Sequence, residues 1–161
     1  MNSLNLEVIT SVCDWLQQGD FVFFVTVLNT WGASPRPVGS LYAYNPQKKL
    51  QFGSLSGGCI EDDLVIKLNT TYAAGSDKPY FVTRYGDNEG DGERYLLPCG
   101  GVIELLVESL HGPEAFKHFV MLKANLIAHR RVARYLDFTL SLPYLLSSDD
   151  QASNSKPESV T

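Results

Sequence analysis

Two short segments of the sequence combine residue types that suit anions and soft metals. The first is Phe52-Gly53-Ser54-Leu55-Ser56-Gly57-Gly58-Cys59-Ile60-Glu61, an apolar run that passes through a glycine-rich turn into a helical pattern. Such a junction aims backbone N–H groups and the positive end of a helix dipole at an anion. Gly57 and Gly58 leave the backbone bare for close approach, and Ser54 and Ser56 add hydroxyl donors. Cys59 stands where the helix is expected to start, a position that lowers a thiol pKa and gives the soft thiolate that molybdenum or a sulfur-transfer reaction requires. The turn is neither a Walker A loop nor a dinucleotide fingerprint. Glu61, Asp62 and Asp63 compete for the same dipole, and a tight strand-to-helix turn with Cys59 as a packing residue accounts for the same residues.

The second segment, Pro98-Cys99-Gly100-Gly101, again sets a cysteine beside paired glycines, so both turns are candidates to converge on one ligand. Two thiols without nearby histidines fall short of a tetrahedral zinc set, and there is no Cys-x-x-Cys motif for dithiol redox work. Cys13 lies on the apolar face of a helical pattern and reads as core. Arg36, held between two prolines, is placed to clamp a phosphate or a ring carbonyl, although a solvated arginine is the blander account. Glu104 interrupts an apolar strand and reads either as a proton-transfer or hydrogen-bonding group or as an ordinary exposed carboxylate. His111, His118 and His129 show no ligand or triad spacing.

The elements that must carry these residues follow from periodicity. Val8, Ile9, Val12, Cys13, Trp15 and Leu16 recur at helical spacing before Gly19. Phe21 to Leu28 is a continuous apolar run, the pattern of a central strand covered on both faces. Strands are expected over 40–44 and 50–54 as a hairpin, over 79–84 and over 102–107, with a weaker one over 132–140. A second helix starts near Cys59 with Ile60, Leu64, Val65, Leu68 and Tyr72 on one face. A third opens at Gly112-Pro113, with Phe116, Phe119, Val120, Leu126 and Ile127 as its expected buried face. This last helix and strand faintly repeat the first pair, with arginines where the first copy has phenylalanines. The fold class is α/β, a three-layer mixed sheet flanked by helices in a single domain over residues 1–146, with strand order and direction left open. Residues 147–161, nearly devoid of apolar side chains, read as a disordered polar tail or linker.

With 161 residues and 44% hydrophobic content, the chain has material for one domain with its own core. A net charge of -5 gives no basic stripe for nucleic acid. No stretch approaches the roughly 20 apolar residues of a membrane span, and the start lacks the pattern of a signal peptide, so a cytoplasmic protein is expected. Three cysteines, an odd number, do not form a disulfide framework, in keeping with that compartment.

Three blocks in order, 30–40 (Thr-Trp-Gly-Ala-Ser-Pro-Arg-Pro-Val-Gly-Ser), 53–61 and 98–104 (Pro-Cys-Gly-Gly-Val-Ile-Glu), resemble the N-terminal domain of the XdhC/CoxI family. The resemblance covers about Val8 to Leu110. It implies an accessory protein that binds the molybdenum cofactor (molybdopterin) as cargo, protects it during sulfuration and delivers it to a xanthine dehydrogenase, aldehyde oxidase or CO dehydrogenase-type molybdenum hydroxylase. The implied partners are that hydroxylase and a cysteine desulfurase or sulfurase, with a homodimer as the family's habit. The family role of the Ser-Gly-Gly-Cys cysteine points to Cys59 as the molybdenum contact. The expected cofactor-binding set is Arg36, Ser54, Ser56, Gly57, Gly58, Cys59, Cys99, Gly100 and Gly101, with no catalytic residue. Ala33 departs from a serine common in the family, and the C-terminal Rossmann-like domain of many members is missing, which implies a truncated chain, a short version or half of a two-chain system. The residues alone also admit a Cys59-dependent thiol or sulfur-transfer enzyme with Cys99 as resolving thiol, and a nucleotide-binding module.

Overall fold

The computed structural model describes residues 3–32, 36–56, 58, 60–75, 78–86 and 101–137, and the backbone of 144–148. Its elements are α1 (Ser3–Gln17), β1 (Val22–Trp31), β2 (Leu41–Asn45), β3 (Leu50–Gly53), α2 (Glu61–Ala73), β4 (Tyr80–Tyr85), β5 (Val102–Leu110), α3 (Gly112–Ile127), β6 (Val132–Leu136) and β7 (Tyr144–Ser148). The first five strands form one sheet in the order β3-β2-β1-β5-β4, with β1 in the middle as its unbroken apolar run requires.

Side-chain alternation along β1 divides the core. Phe23, Val25 and Val27 meet Ile60, Leu64 and Leu68 at and along α2 on one face. Val22 and Phe24 meet α1 and α3 on the other, through residues such as Val12, Leu16 and Phe119. Three layers result, α2, sheet, and the α1–α3 pair. The sheet is antiparallel at all four pairings rather than mixed. The reason is that its one helical crossover, α2, links the edge strands β3 and β4, which run the same way but never pair.

The buried face of α3 is Ala115, His118, Phe119 and Leu122, with Phe116 and Leu126 partly covered. Val120 and Ile127, expected inside, are 40% and 56% exposed. They fall off the i, i+3, i+4, i+7 stripe that contains the polar His118, a residue a purely apolar pattern skips. The faint repeat is structural only in part: α3 packs beside α1, but β6 pairs with β7 in a separate two-stranded sheet. Arg134, at the place of Phe24 in the first copy, has its guanidinium 5.3 Å from that very ring. It also donates to Glu108 Oε1 and Oε2 at 2.6 and 2.9 Å and, through Nε, to His118 Nε2 at 2.8 Å. This contact ties the small sheet to β5. Strand β7 takes in Ser147 and Ser148, because a backbone ladder to β6 needs no apolar side chain; residues 149–161 lie outside the described ones.

Candidate functional site

The topology gathers the described parts of the three glycine-bearing blocks at one end of the main sheet. Strands β1, β3 and β4 finish there, and β2, β5 and α2 begin there. The β1–β2 connection is closed onto the sheet by hydrogen bonds from Val27 N–H to Ser40 O and from Gly39 N–H to Val27 O, at 3.0 and 2.8 Å. Two glycines at this end are required by geometry. Gly53 has φ +93° and a Cβ there would overlap the carbonyl oxygen of Leu41; Gly86, at φ +100°, would overlap that of Gly101. Gly101, one of the expected site residues, is therefore the surface on which the end of β4 rests.

The 54–58 turn is organised by Glu61. Its Oε1 accepts N–H bonds from Leu55 at 2.7 Å and Ser56 at 3.0 Å, and its Oε2 accepts the Ser56 hydroxyl at 2.7 Å and Gly58 N–H at 3.1 Å. Ser54 Oγ stands 3.5 Å from Oε1. Ser56 Oγ in turn accepts Ile60 N–H at 3.0 Å, so the hydroxyl relays between carboxylate and helix start. Burial pushes the carboxyl pKa up, but the hydrogen bonds from Ser56 and from the Leu55 and Ser56 amides outweigh it and hold Glu61 below its ordinary value. The donors that the sequence offers to a phosphate are, in the described part of the turn, engaged by the protein's own carboxylate. Glu61 reaches back three residues to Gly58 N–H in the manner of a capping-box glutamate, a spacing visible in the sequence. Read only as a dipole charge, it hides this role.

Ser54, Ser56 and Gly58 thus come together around Glu61. Arg36 is half-exposed in the β1–β2 connection at the same end. Gly57, Cys59, Cys99 and Gly100 lie outside the described residues. Asp63 accepts the Tyr85 hydroxyl at 2.8 Å and Lys67 donates to Thr83 at 3.1 Å, which fastens α2 to β4. Cys13 is core, as expected, and burial pushes its thiol pKa up. His111 stacks on Phe21, with centroids 5.6 Å apart, and His118 belongs to the Arg134 contact, so neither serves this end. Among the described residues no group of three or more His, Cys, Asp or Glu could hold a metal ion, and no helix is long and apolar enough to cross a membrane.

The family model described as the XdhC and CoxI family matches residues 15–86. Over those residues the chain is similar to the XdhC and CoxI family. The matched segment runs from the end of α1 through β4 and holds Arg36 and the whole 53–61 block, while Cys99, Gly100 and Gly101 fall beyond it. A crystal structure described as a xanthine dehydrogenase from Bacillus halodurans is similar in fold, with TM-score 0.63 and 21% identity over 89% of this chain and 41% of that one. The chain therefore spans less than half the length of that structure. No curated protein matches it.

Proposed function

We propose that this XdhC/CoxI chain is an accessory protein that binds the molybdenum cofactor as cargo and, after its sulfuration, passes it to a molybdenum hydroxylase. The XdhC/CoxI match supports a maturation role. The observation that supports a site is that the described parts of the three blocks lie at one end of the sheet. In this proposal Cys59 supplies the soft ligand for the metal, with Cys99 as a second thiol. The backbones of Gly57, Gly58, Gly100 and Gly101 allow close approach and Arg36 serves the terminal phosphate, while Ser54 and Ser56 hold the turn in shape through Glu61. Glu61 braces the turn through its hydrogen bond from Gly58 N–H. The hydroxylase and a sulfurase are the partners, and the cytoplasm is the compartment in which such a transfer takes place.

The test is retention on ultrafiltration. Reduced protein and a Cys59→Ala variant are incubated with molybdenum cofactor, and the retained pterin is assayed after oxidation to its fluorescent form. Retention by the parent at one pterin per chain, lost in the variant, is the expected result; equal washing-out from both would overturn the proposal.

A further inference from the structure

A β-bulge in β1 builds a second polar feature at the same end of the molecule, on the opposite face from α2. Up to Val27 the strand alternates regularly, and without interruption Asn29 and Trp31 would follow Phe23, Val25 and Val27 toward α2. The register shifts between Val27, opposite Leu105, and Asn29, opposite Glu104. The extra residue turns Asn29 and Trp31 to the other face, in rows with Glu104 and Val102. Bulges of this kind re-aim side chains and occur next to binding sites. Arg84 completes the row from β4, where it is paired with Glu104.

The four polar and aromatic side chains are mutually arranged. Asn29 Nδ2 donates to Glu104 Oε1 at 2.9 Å, Arg84 Nε is 3.9 Å from Glu104 Oε2, and the Arg84 guanidinium carbon lies 4.8 Å from the Trp31 ring centroid. The Trp31 side chain is nevertheless 45% exposed, and Val82 in the row below is 46% exposed. Val102 stands beside Trp31 in the same row, and beyond it, at the end of β4, Gly86 lies against Gly101 and offers no side chain.

We infer that Trp31, Glu104, Asn29 and Arg84 form a recognition platform for a planar heterocycle bearing the 2-amino-4-oxo edge shared by pterin and guanine. The indole offers a face for stacking, and the Glu104 carboxylate accepts two parallel N–H groups from such an edge. Arg84 stands beside it as a donor to the ring carbonyl. The choice of a pterin over a guanine rests on the cargo reading above; the platform itself rests on the bulge and the four side chains.

The experiment uses the whole chain and Trp31 as its own reporter, since the only other tryptophan, Trp15, is buried. Fluorescence is titrated with pterin, with lumazine, which has an oxygen in place of the 2-amino group, and with GMP. Pterin is expected to quench and to bind about 10-fold more tightly than lumazine, a typical margin when one buried polar pairing is lost. Glu104→Gln should erase that preference while leaving the thermal midpoint within about 3 °C, and Trp31→Phe should remove the quenching. Tighter binding of GMP than of pterin supports the platform and assigns it to a nucleotide. Equal affinity for pterin and lumazine, or a preference that survives Glu104→Gln, overturns the inference. The two readings fail separately: cofactor retained equally by parent and Glu104→Gln sinks the platform alone, whereas pterin quenching of Trp31 without retention of the whole cofactor sinks the cargo proposal alone.

Discussion

Glutamine at position 61 would keep the length and shape of the side chain that orders the 54–58 turn but would change what it can accept. The amide oxygen, placed at Oε1, can still receive Leu55 and Ser56 N–H, though as a neutral acceptor. The amide nitrogen then stands at Oε2, where Gly58 N–H and the Ser56 hydroxyl both donate, so donors face donors. Hydrogen bonds to a charged group contribute about 1.5–3 kcal/mol each, and an unsatisfied buried partner costs about 1–3 kcal/mol. Rotation of the Ser56 hydroxyl recovers part of this, which leaves a loss of about 2–4 kcal/mol. For a chain of this size that corresponds to a fall in Tm of roughly 5–15 °C. Because the folded pKa of Glu61 lies below its ordinary 4.5, its contribution is present above that value and is lost as pH falls through the folded pKa. Circular dichroism melts of parent and Glu61→Gln, taken from pH 7 to pH 3, should show a wide gap at neutrality that narrows below about pH 4.5. A gap under 2 °C at pH 7, or one that does not narrow in acid, would refute the view that the carboxylate holds the turn.

Arg134→Ala should destabilise by about 3–5 kcal/mol, since it strands the fully buried Glu108 without its cation, whereas Glu108→Leu combined with Arg134→Leu should cost far less; urea unfolding of the single and double variants measures both. Burial, then the Arg134 charge, depresses the His118 pKa to about 4, so the folded protein keeps this ring neutral while the unfolded chain protonates it near 6.5. Stability is therefore expected to decline as pH falls from about 6.5 toward 4, by up to about 3 kcal/mol, and His118→Asn should flatten that part of the profile in urea melts. Gly53→Ala should cost about 3 kcal/mol or more, because the left-handed backbone and the Leu41 carbonyl both oppose a methyl group, and its melt should show a clear loss where Gly75→Ala, with open space around it, shows only the backbone strain. Loss of cofactor retention by Cys59→Ala without a change in Tm would separate binding from folding.

What the sequence by itself determined is everything that repeats at short range. The apolar spacing of Val8 to Leu16, the unbroken run after Phe21, and the glycines flanking each element dictate α1, a central β1 and the strand-to-helix turn before α2, because burial selects for period 3.6, period 2 or continuous cover within a single segment. The three blocks around Arg36, Gly57-Gly58-Cys59 and Cys99 were legible in the same way, as local composition. That the ends of these elements meet at one edge of the sheet was decided by strand order, which depends on pairings between residues as far apart as Trp31 and Val102. The bulge after Val27 has no signature in its own residues, since it is defined only against β5, and it alone turns Trp31 and Asn29 to face Glu104. Likewise His118 showed no ligand or triad spacing and Arg134 fell in a weak expected strand, until three separate elements brought them with Glu108 into one ion-paired contact. A side chain's charge is written in the sequence, but the partner that fixes its meaning is chosen by the tertiary fold, because only there does the loss of water force each buried charge to find one.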